Sequence, residues 1–181
     1  SASTCIKDGV PFLERDGHPV IVTGALDGWS ASSWGFKFFK YNYGRDEVIV
    51  SDRWTDKQGA SRYRMKLEDY ADYCLRPESS SLYGRESGSR FYLANYHAAQ
   101  RHPELLEDFQ EPHFLGNHFR DFEGPLRDWY LANFGWVFMG PPGAVSPLHQ
   151  DLLSTHAWLA QIRGRKEFLT FPPDDGPHLC Q

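Results

Sequence analysis

Short β-branched and aromatic runs alternate with polar connectors along this chain, and from Trp129 onward the texture becomes one of consecutive strands and turns. Residues 1–16 are polar and read as a short helix or coil. PVIVTG at 19–24 is a β-branched run closed by glycine and predicts a strand. Residues 25–33, with Asp27-Gly28 and several serines, predict a turn into a short segment. The aromatic stretch 34–43 fits helix or strand, and EVIVS at 47–51 predicts a second strand.

Residues 52–61 read as polar loop. Over 62–75, Met65, Leu67, Tyr70 and Tyr73 or Cys74 recur at roughly helical spacing and predict an amphipathic helix. RPESSSLYGRESGS at 76–89 predicts a mobile loop, and 91–96 a strand. PELLEDF at 103–109 places proline at a first helical position and predicts a short helix. The mixed segment 111–127 offers Phe114, Phe119, Phe122 and Leu126 as apolar anchors. The last third predicts strands at 134–139, 146–151, 156–162 and 165–171. A Gly-Pro-Pro-Gly turn at 140–143 and an Arg163-Gly164 hairpin separate them.

Composition narrows the class. At 181 residues the chain suits one domain with a real core, and its 13 Phe, 9 Tyr and 6 Trp favour a β-rich interior. A net charge of −5 gives no long-range attraction to nucleic acid or to an anionic membrane, so neither is expected as a partner. Cys5, Cys74 and Cys180 form neither a disulfide framework nor a zinc spacing. A reducing compartment, cytoplasmic or nuclear, is the expectation.

Candidate chemistry lies in His149-Gln150-Asp151 and in Lys166. On a strand, residues i and i+2 share a face and can reach one ion, whereas on a helix they diverge. His102-x-Glu104 falls at a predicted helix start and is rejected as a ligand pair; His149-x-Asp151 follows a Gly/Pro turn and is kept. The competing reading of that pair is a solvated, hydrogen-bonded couple at a strand end. Alternation places Lys166 on the face of Phe168 and Thr170, opposite Arg165 and Glu167, which favours an inward lysine over a surface one.

The segment MGPPGAVSPLHQDLLSTHAWLAQIRGRKEFLTFPP resembles the Jumonji-C branch of the Fe(II)- and 2-oxoglutarate-dependent oxygenases, closest to its small protein hydroxylases. The shared signs are the Gly-Pro turn, a small hydroxyl residue three before the histidine, H-x-D, and W-x-x-x-x-x-G-x-K running into an aromatic-Pro-Pro strand. Upstream, RFYLANY and PELLEDFQEPHF resemble the segment before that family's core, and PVIVTGALDGW its N-terminal strand. The resemblance implies a mainly β fold with flanking helices around a double-stranded β-helix (cupin, jelly-roll) core. It implies one domain over 1–181, with helices and strands in 1–128 and the first barrel strands in 129–181, incomplete at its C-terminal side.

It further implies Fe(II) held by His149 and Asp151. Lys166 would pair with the far carboxylate of 2-oxoglutarate, and Ser146 and Tyr92 would hydrogen-bond the same group. Ser146 has the wrong parity for a straight strand and needs a bend, which Pro147 could supply. Tyr92 also fits an ordinary core tyrosine. The implied reaction consumes O₂, releases succinate and hydroxylates an amino-acid side chain in a protein or peptide.

There are two departures from the family pattern. Leu159 stands where many relatives carry asparagine, so no role is carried to it. The family's second histidine comes from a late strand. His156 is too close to Asp151 to serve, and His178 in a predicted loop is the remaining substitute. Four strands also fall short of the roughly eight of a closed roll, so the ligand and the missing strands are expected beyond residue 181. Three other readings stay open: a catalytically inactive cupin-like binding or assembly module, an oxygenase acting on a small metabolite, and a cupin-class isomerase or dioxygenase with no need of Lys166.

Overall fold

A computed structural model describes residues 6–7, 10–11, 19–52, 61–86, 89–112, 123–125, 135–151 and 155–179. Its centre is a pair of antiparallel strands, β3 (Glu47–Ser51) and β4 (Arg62–Lys66), preceded in the chain by a two-residue ladder of β1 (Ile6–Lys7) and β2 (Val10–Pro11). That ladder stands where the N-terminal helix or coil was expected. In β3 the alternation works as its composition suggests: Val48 and Val50 are buried and Ile49 faces solvent. Val48 pairs with Met65 and Val50 with Tyr63, so both strands present one apolar face.

The amphipathic helix expected over 62–75 is split. RYRMK alternates with period two and joins β3; the helix, α2, runs only Leu67–Leu75. The switch at Leu67 has a local cause. The Leu67 N–H donates to the Asp46 carbonyl (2.8 Å) and the Glu68 N–H to the Gly44 carbonyl (3.0 Å), so turn carbonyls satisfy amides of the helix's first turn. Met65 and Leu67 fit both periods, which is why the pattern alone misreads the boundary. On α2, Leu67, Tyr70, Ala71 and Cys74 form one buried stripe, with Tyr73 beside it.

The aromatic stretch resolves as helix α1 (Phe36–Tyr43), following a 3-10 turn at Ser30–Ser33, and α1 packs on α2 through Phe39. Strands β5 (Leu93–Tyr96) and β6 (Val137–Met139) form the second antiparallel pair, with an irregularity between Leu93 and Tyr96. Ser51 and Tyr92 exchange backbone hydrogen bonds (3.1 and 2.8 Å), which sets β5 alongside β3. Helix α3 (Ala98–Arg101) and a 3-10 helix at Pro103–Asp108 follow β5, the latter opening on proline as expected. Phe91, Leu93, Tyr70, Tyr73, Val50 and Leu105 make the fully buried centre.

Several expected elements differ. Residues 19–24 are not a strand: they run into a turn, with Ile21 93% exposed, and among the described residues no strand pairs with them. Residues 76–86 are more than a loose loop, since a 3-10 turn at Pro77–Ser79 leads to Leu82, which is buried in the core. Of the strand expected at 134–139, the described part pairs only over Val137–Met139. Residues 146–151, 155–162 and 165–171 are irregular, and the hairpin expected around Arg163-Gly164 lacks its ladder. Among the described residues no strand pairs with them, and Leu148, Phe168, Leu169 and Phe171 remain exposed. The described elements are therefore a mixture of short helices and two-stranded sheets. The loop expected over 53–60 and most of 111–127 lie outside the described residues, and no described helix is long and apolar enough to cross a membrane.

Candidate metal and anion site

The β5–β6 pair positions the first half of the site. Phe91 and Leu93 point into the core, so alternation sends the Tyr92 ring to the opposite face, where it stacks on Phe138 with centroids 6.1 Å apart. Gly140 makes room for it: a Cβ there would lie 2.6 Å from Tyr92 Cδ2 and 2.9 Å from Ala144 Cβ. The turn that follows is the expected one, with Gly143 at φ 85°.

Lys166 reaches this face from 74 residues away and donates from Nζ to the Tyr92 hydroxyl at 3.1 Å. The ammonium stands 5.5, 5.3 and 5.2 Å from the ring centroids of Tyr92, Phe138 and Phe168. The residue as a whole stays open to solvent, but its charged end is surrounded by aromatic faces, and this desolvation pulls its pKa below the usual lysine value of 10.5. Desolvation also raises the Tyr92 phenol to about 12. Tyr92 thus keeps its proton near neutrality. Because its oxygen accepts from Lys166, that proton is left to donate outward. A cation and a neutral O–H side by side are what an anionic group entering this face would need.

The second half is the His149–Asp151 pair. It sits in irregular chain rather than the expected strand, yet the side chains still converge, with His149 Nε2 3.6 Å from Asp151 Oδ1. His149 Nδ1 lies 2.7 Å from the Pro147 carbonyl, which can only accept. Nδ1 therefore carries the proton, and in the neutral ring Nε2 is left with the lone pair, pointing toward the carboxylate. Donors bound at ~2.1 Å to adjacent positions of one octahedral ion stand about 3 Å apart, so small rotations would seat both on one divalent ion. The donor set fits such an ion.

Ser146 is half-buried ahead of this pair and is not hydrogen-bonded to Lys166 or Tyr92. Among the described residues no group of three or more His, Cys, Asp or Glu side chains could hold a metal, so His178, at the end of a 3-10 helix at Pro173–His178, does not join the pair. The rejected His102 and Glu104 flank the Pro103 helix start, and His102 Nε2 is 2.8 Å from Asp46 Oδ2. Phe138 and Gly140 were missed in the sequence. Parity places Phe138 opposite Met139, but no local signal marks a glycine that a tyrosine ring crosses.

Comparison with known proteins bears on this arrangement. A family model described as a cupin-like domain matches residues 13–181. The chain is similar to the arginine-specific demethylase JMJ22 of Arabidopsis thaliana, 28% identical over 173 residues, covering 95% of this chain and 30% of that protein. It is 28% identical over 166 residues to the bifunctional arginine demethylase and lysyl-hydroxylase psr-1 of Caenorhabditis elegans, covering 89% of this chain and 37% of that protein. It is 27% identical over 162 residues to the 2-oxoglutarate and iron-dependent oxygenase JMJD4 of Gallus gallus, covering 84% of this chain and 37% of that protein. The chain spans about a third of the length of these curated relatives.

Proposed function

The chain belongs to the cupin-like domain family, in its Jumonji-C oxygenase branch, and from that premise we propose that it serves an Fe(II)- and 2-oxoglutarate-dependent oxygenase that hydroxylates an amino-acid side chain in a protein or peptide. The observation that carries the proposal is the Lys166–Tyr92 contact, a desolvated cation beside a protonated phenol, its lysine following His149 and Asp151 in the last third of the sequence. In this reading the fold is the jelly-roll of the family. Its substrate class follows relatives whose names describe arginine demethylation and lysyl hydroxylation.

His149 Nε2 and the Asp151 carboxylate would hold the iron, with one imidazole and one carboxylate of the facial set coming from these two residues. Bound iron supplies open positions where a bidentate cosubstrate and O₂ are brought together. The Pro147 carbonyl keeps His149 in the metal-binding tautomer. Lys166 neutralises the distal carboxylate of 2-oxoglutarate, and Tyr92 donates its O–H to the same group, fixing the cosubstrate's orientation. Phe138 and Phe168 lie 5.3 and 5.2 Å from the ammonium and lower its contact with water in part, which favours that attraction. The balance is substrate C–H, 2-oxoglutarate and O₂ giving substrate C–OH, succinate and CO₂.

The test is turnover by the intact protein with Fe(II): succinate should appear in proportion to 2-oxoglutarate consumed, and His149→Ala should stop it. Succinate formation that survives in His149→Ala sinks the assignment. Candidate peptides carrying arginine or lysine, incubated with the enzyme and weighed by mass spectrometry, should gain one oxygen atom.

A further inference from the structure

We propose that Tyr70, on the core side of α2, is a positioning residue for the Tyr92–Lys166 anion clamp; the inference rests on the reading of that clamp given above. The hold of Tyr70 on Tyr92 is through the main chain. What Tyr70 touches is the backbone on either side of it. The Tyr70 hydroxyl accepts the Leu93 N–H at 3.0 Å and shares its one proton between the carbonyls of Met139 (2.8 Å) and Phe91 (3.0 Å). Phe91 and Leu93 are the neighbours of Tyr92, and Met139 is the neighbour of Phe138. One buried oxygen therefore ties both peptides that flank Tyr92 to the carbonyl of the residue next to Phe138, and the Tyr92 and Phe138 rings are two of those around Lys166.

The strands need this tie. The β5–β6 ladder registers only at Leu93↔Met139 and Tyr96↔Val137, with an irregularity between, and Asn95 sits at φ 60°. Such a short, bulged ladder does not by itself fix where the ring at 92 lies against the ring at 138. Tyr73, three residues further along the same helix, adds a second tie. Its hydroxyl accepts the Phe91 N–H at 3.0 Å and donates to Glu86 Oε1 at 3.0 Å. The backbone of Tyr92 is held in turn by Ser51. Every peptide group from Phe91 to Leu93 thus meets a partner on a helix or strand of the core.

Both hydroxyls sit where a phenylalanine would pack as well, since Tyr70 and Tyr73 are fully buried. A packing role alone would not require the oxygen. Burial also keeps the Tyr70 phenol neutral, its pKa standing well above 10.0, so its proton is available at any working pH.

The test is Tyr70→Phe in the intact protein, read by calorimetric binding of 2-oxoglutarate with Mn(II) in place of iron, and by the KM for 2-oxoglutarate against kcat. The expected result is a dissociation constant and KM raised about tenfold, roughly 1.4 kcal/mol, with kcat changed much less. Leu67→Ala, a core truncation on the same helix, is the comparison: it should lower the melting temperature and leave both constants alone. If Tyr70→Phe behaves like Leu67→Ala, the positioning role is overturned. Should Tyr70→Phe fail to fold, Tyr73→Phe carries the test, with a rise of about threefold expected and an unchanged constant overturning the proposal. Lys166→Ala run alongside separates the two levels: if it too leaves 2-oxoglutarate binding unchanged, the clamp reading itself has failed.

Discussion

Lys166 donates a hydrogen bond to the Tyr92 hydroxyl across 3.1 Å, and the two residues stand 74 positions apart in the chain. Nothing else in the described residues puts a cation among three aromatic faces. Truncating one partner of a desolvated charge contact costs binding free energy in the range of a few kcal/mol. Lys166→Ala should therefore weaken 2-oxoglutarate binding by about tenfold to a hundredfold. Titration calorimetry measures this directly, and an unchanged affinity would remove Lys166 from the site.

The same contact predicts a pH dependence. Aromatic enclosure lowers the Lys166 pKa from 10.5, so the free protein loses this charge at lower pH than an ordinary lysine would. An anion binds the protonated form, and binding must then take up a proton wherever Lys166 is partly neutral. Affinity for 2-oxoglutarate should fall as pH rises toward 10.5, starting below the range where surface lysines titrate, and Lys166→Arg should flatten that fall. For folding the sign is opposite: above its lowered pKa the folded chain no longer bears the cost of an enclosed ammonium, so this residue's contribution improves with pH.

His149 and Asp151 converge to 3.6 Å, and loss of either should remove metal binding rather than trim it. Outer-sphere changes around metal ligands cost ~10- to 100-fold, and a lost ligand costs more. His149→Ala and Asp151→Ala should each show no Fe(II)-dependent succinate above background and no metal-induced rise in melting temperature. A metal-induced rise equal to that of the unchanged protein would move the site elsewhere.

Two side-chain neighbourhoods argued from strand parity recur in the structure without their strands. Lys166 lies over Phe168 and His149 faces Asp151, although 146–151 and 165–171 are irregular. EVIVS was likewise legible, since Val48 and Val50 alternate against a single buried face. The 62–75 segment was not. Its residues satisfy both helical and strand periods, and the choice is made at a distance, by β3 for 62–66 and by the Gly44 and Asp46 carbonyls for 67–68. PVIVTG at 19–24, which has no ladder partner among the described residues, shows the converse: β-propensity alone does not make a strand. Phe138 could be seen only once Tyr92 had a partner strand to cross.

Gly140 is a test of that crossing. A Cβ at this position would stand 2.6 Å from the Tyr92 ring, which is also stacked with Phe138. Gly140→Ala should cost about 1–3 kcal/mol of stability through overpacking. It should also displace Tyr92 from Lys166 and weaken 2-oxoglutarate binding. Denaturant melts and calorimetry read the two effects separately. Normal affinity with reduced stability would mean that Ala144 gives way instead of the ring.

The turn between α1 and β3 carries the last prediction, which concerns acid stability. Asp46 Oδ2 accepts from the Tyr96 hydroxyl at 2.6 Å, lies 2.8 Å from His102 Nε2, and stands 3.5 Å from Arg101 Nη1. Burial pushes this carboxyl upward, but the hydrogen bonds from Tyr96 and His102, with the charge of Arg101, outweigh it and leave its pKa below 3.8. A depressed carboxyl contributes stability that is present above its unfolded value and is lost as pH falls through its folded one, because there the unfolded chain binds the extra proton. Its backbone carbonyl also caps α2 through Leu67, so the loosened side chain sits on the turn that starts that helix. Asp46→Asn keeps an acceptor for Tyr96 but loses the charge. It should lower stability at neutral pH by about 1–2 kcal/mol and make the acid-unfolding curve shallower below pH 3.8. Urea midpoints measured across the acid range decide it, and a variant whose midpoints run parallel to those of the unchanged protein through that range would show that Asp46 does not carry the acid-linked stability.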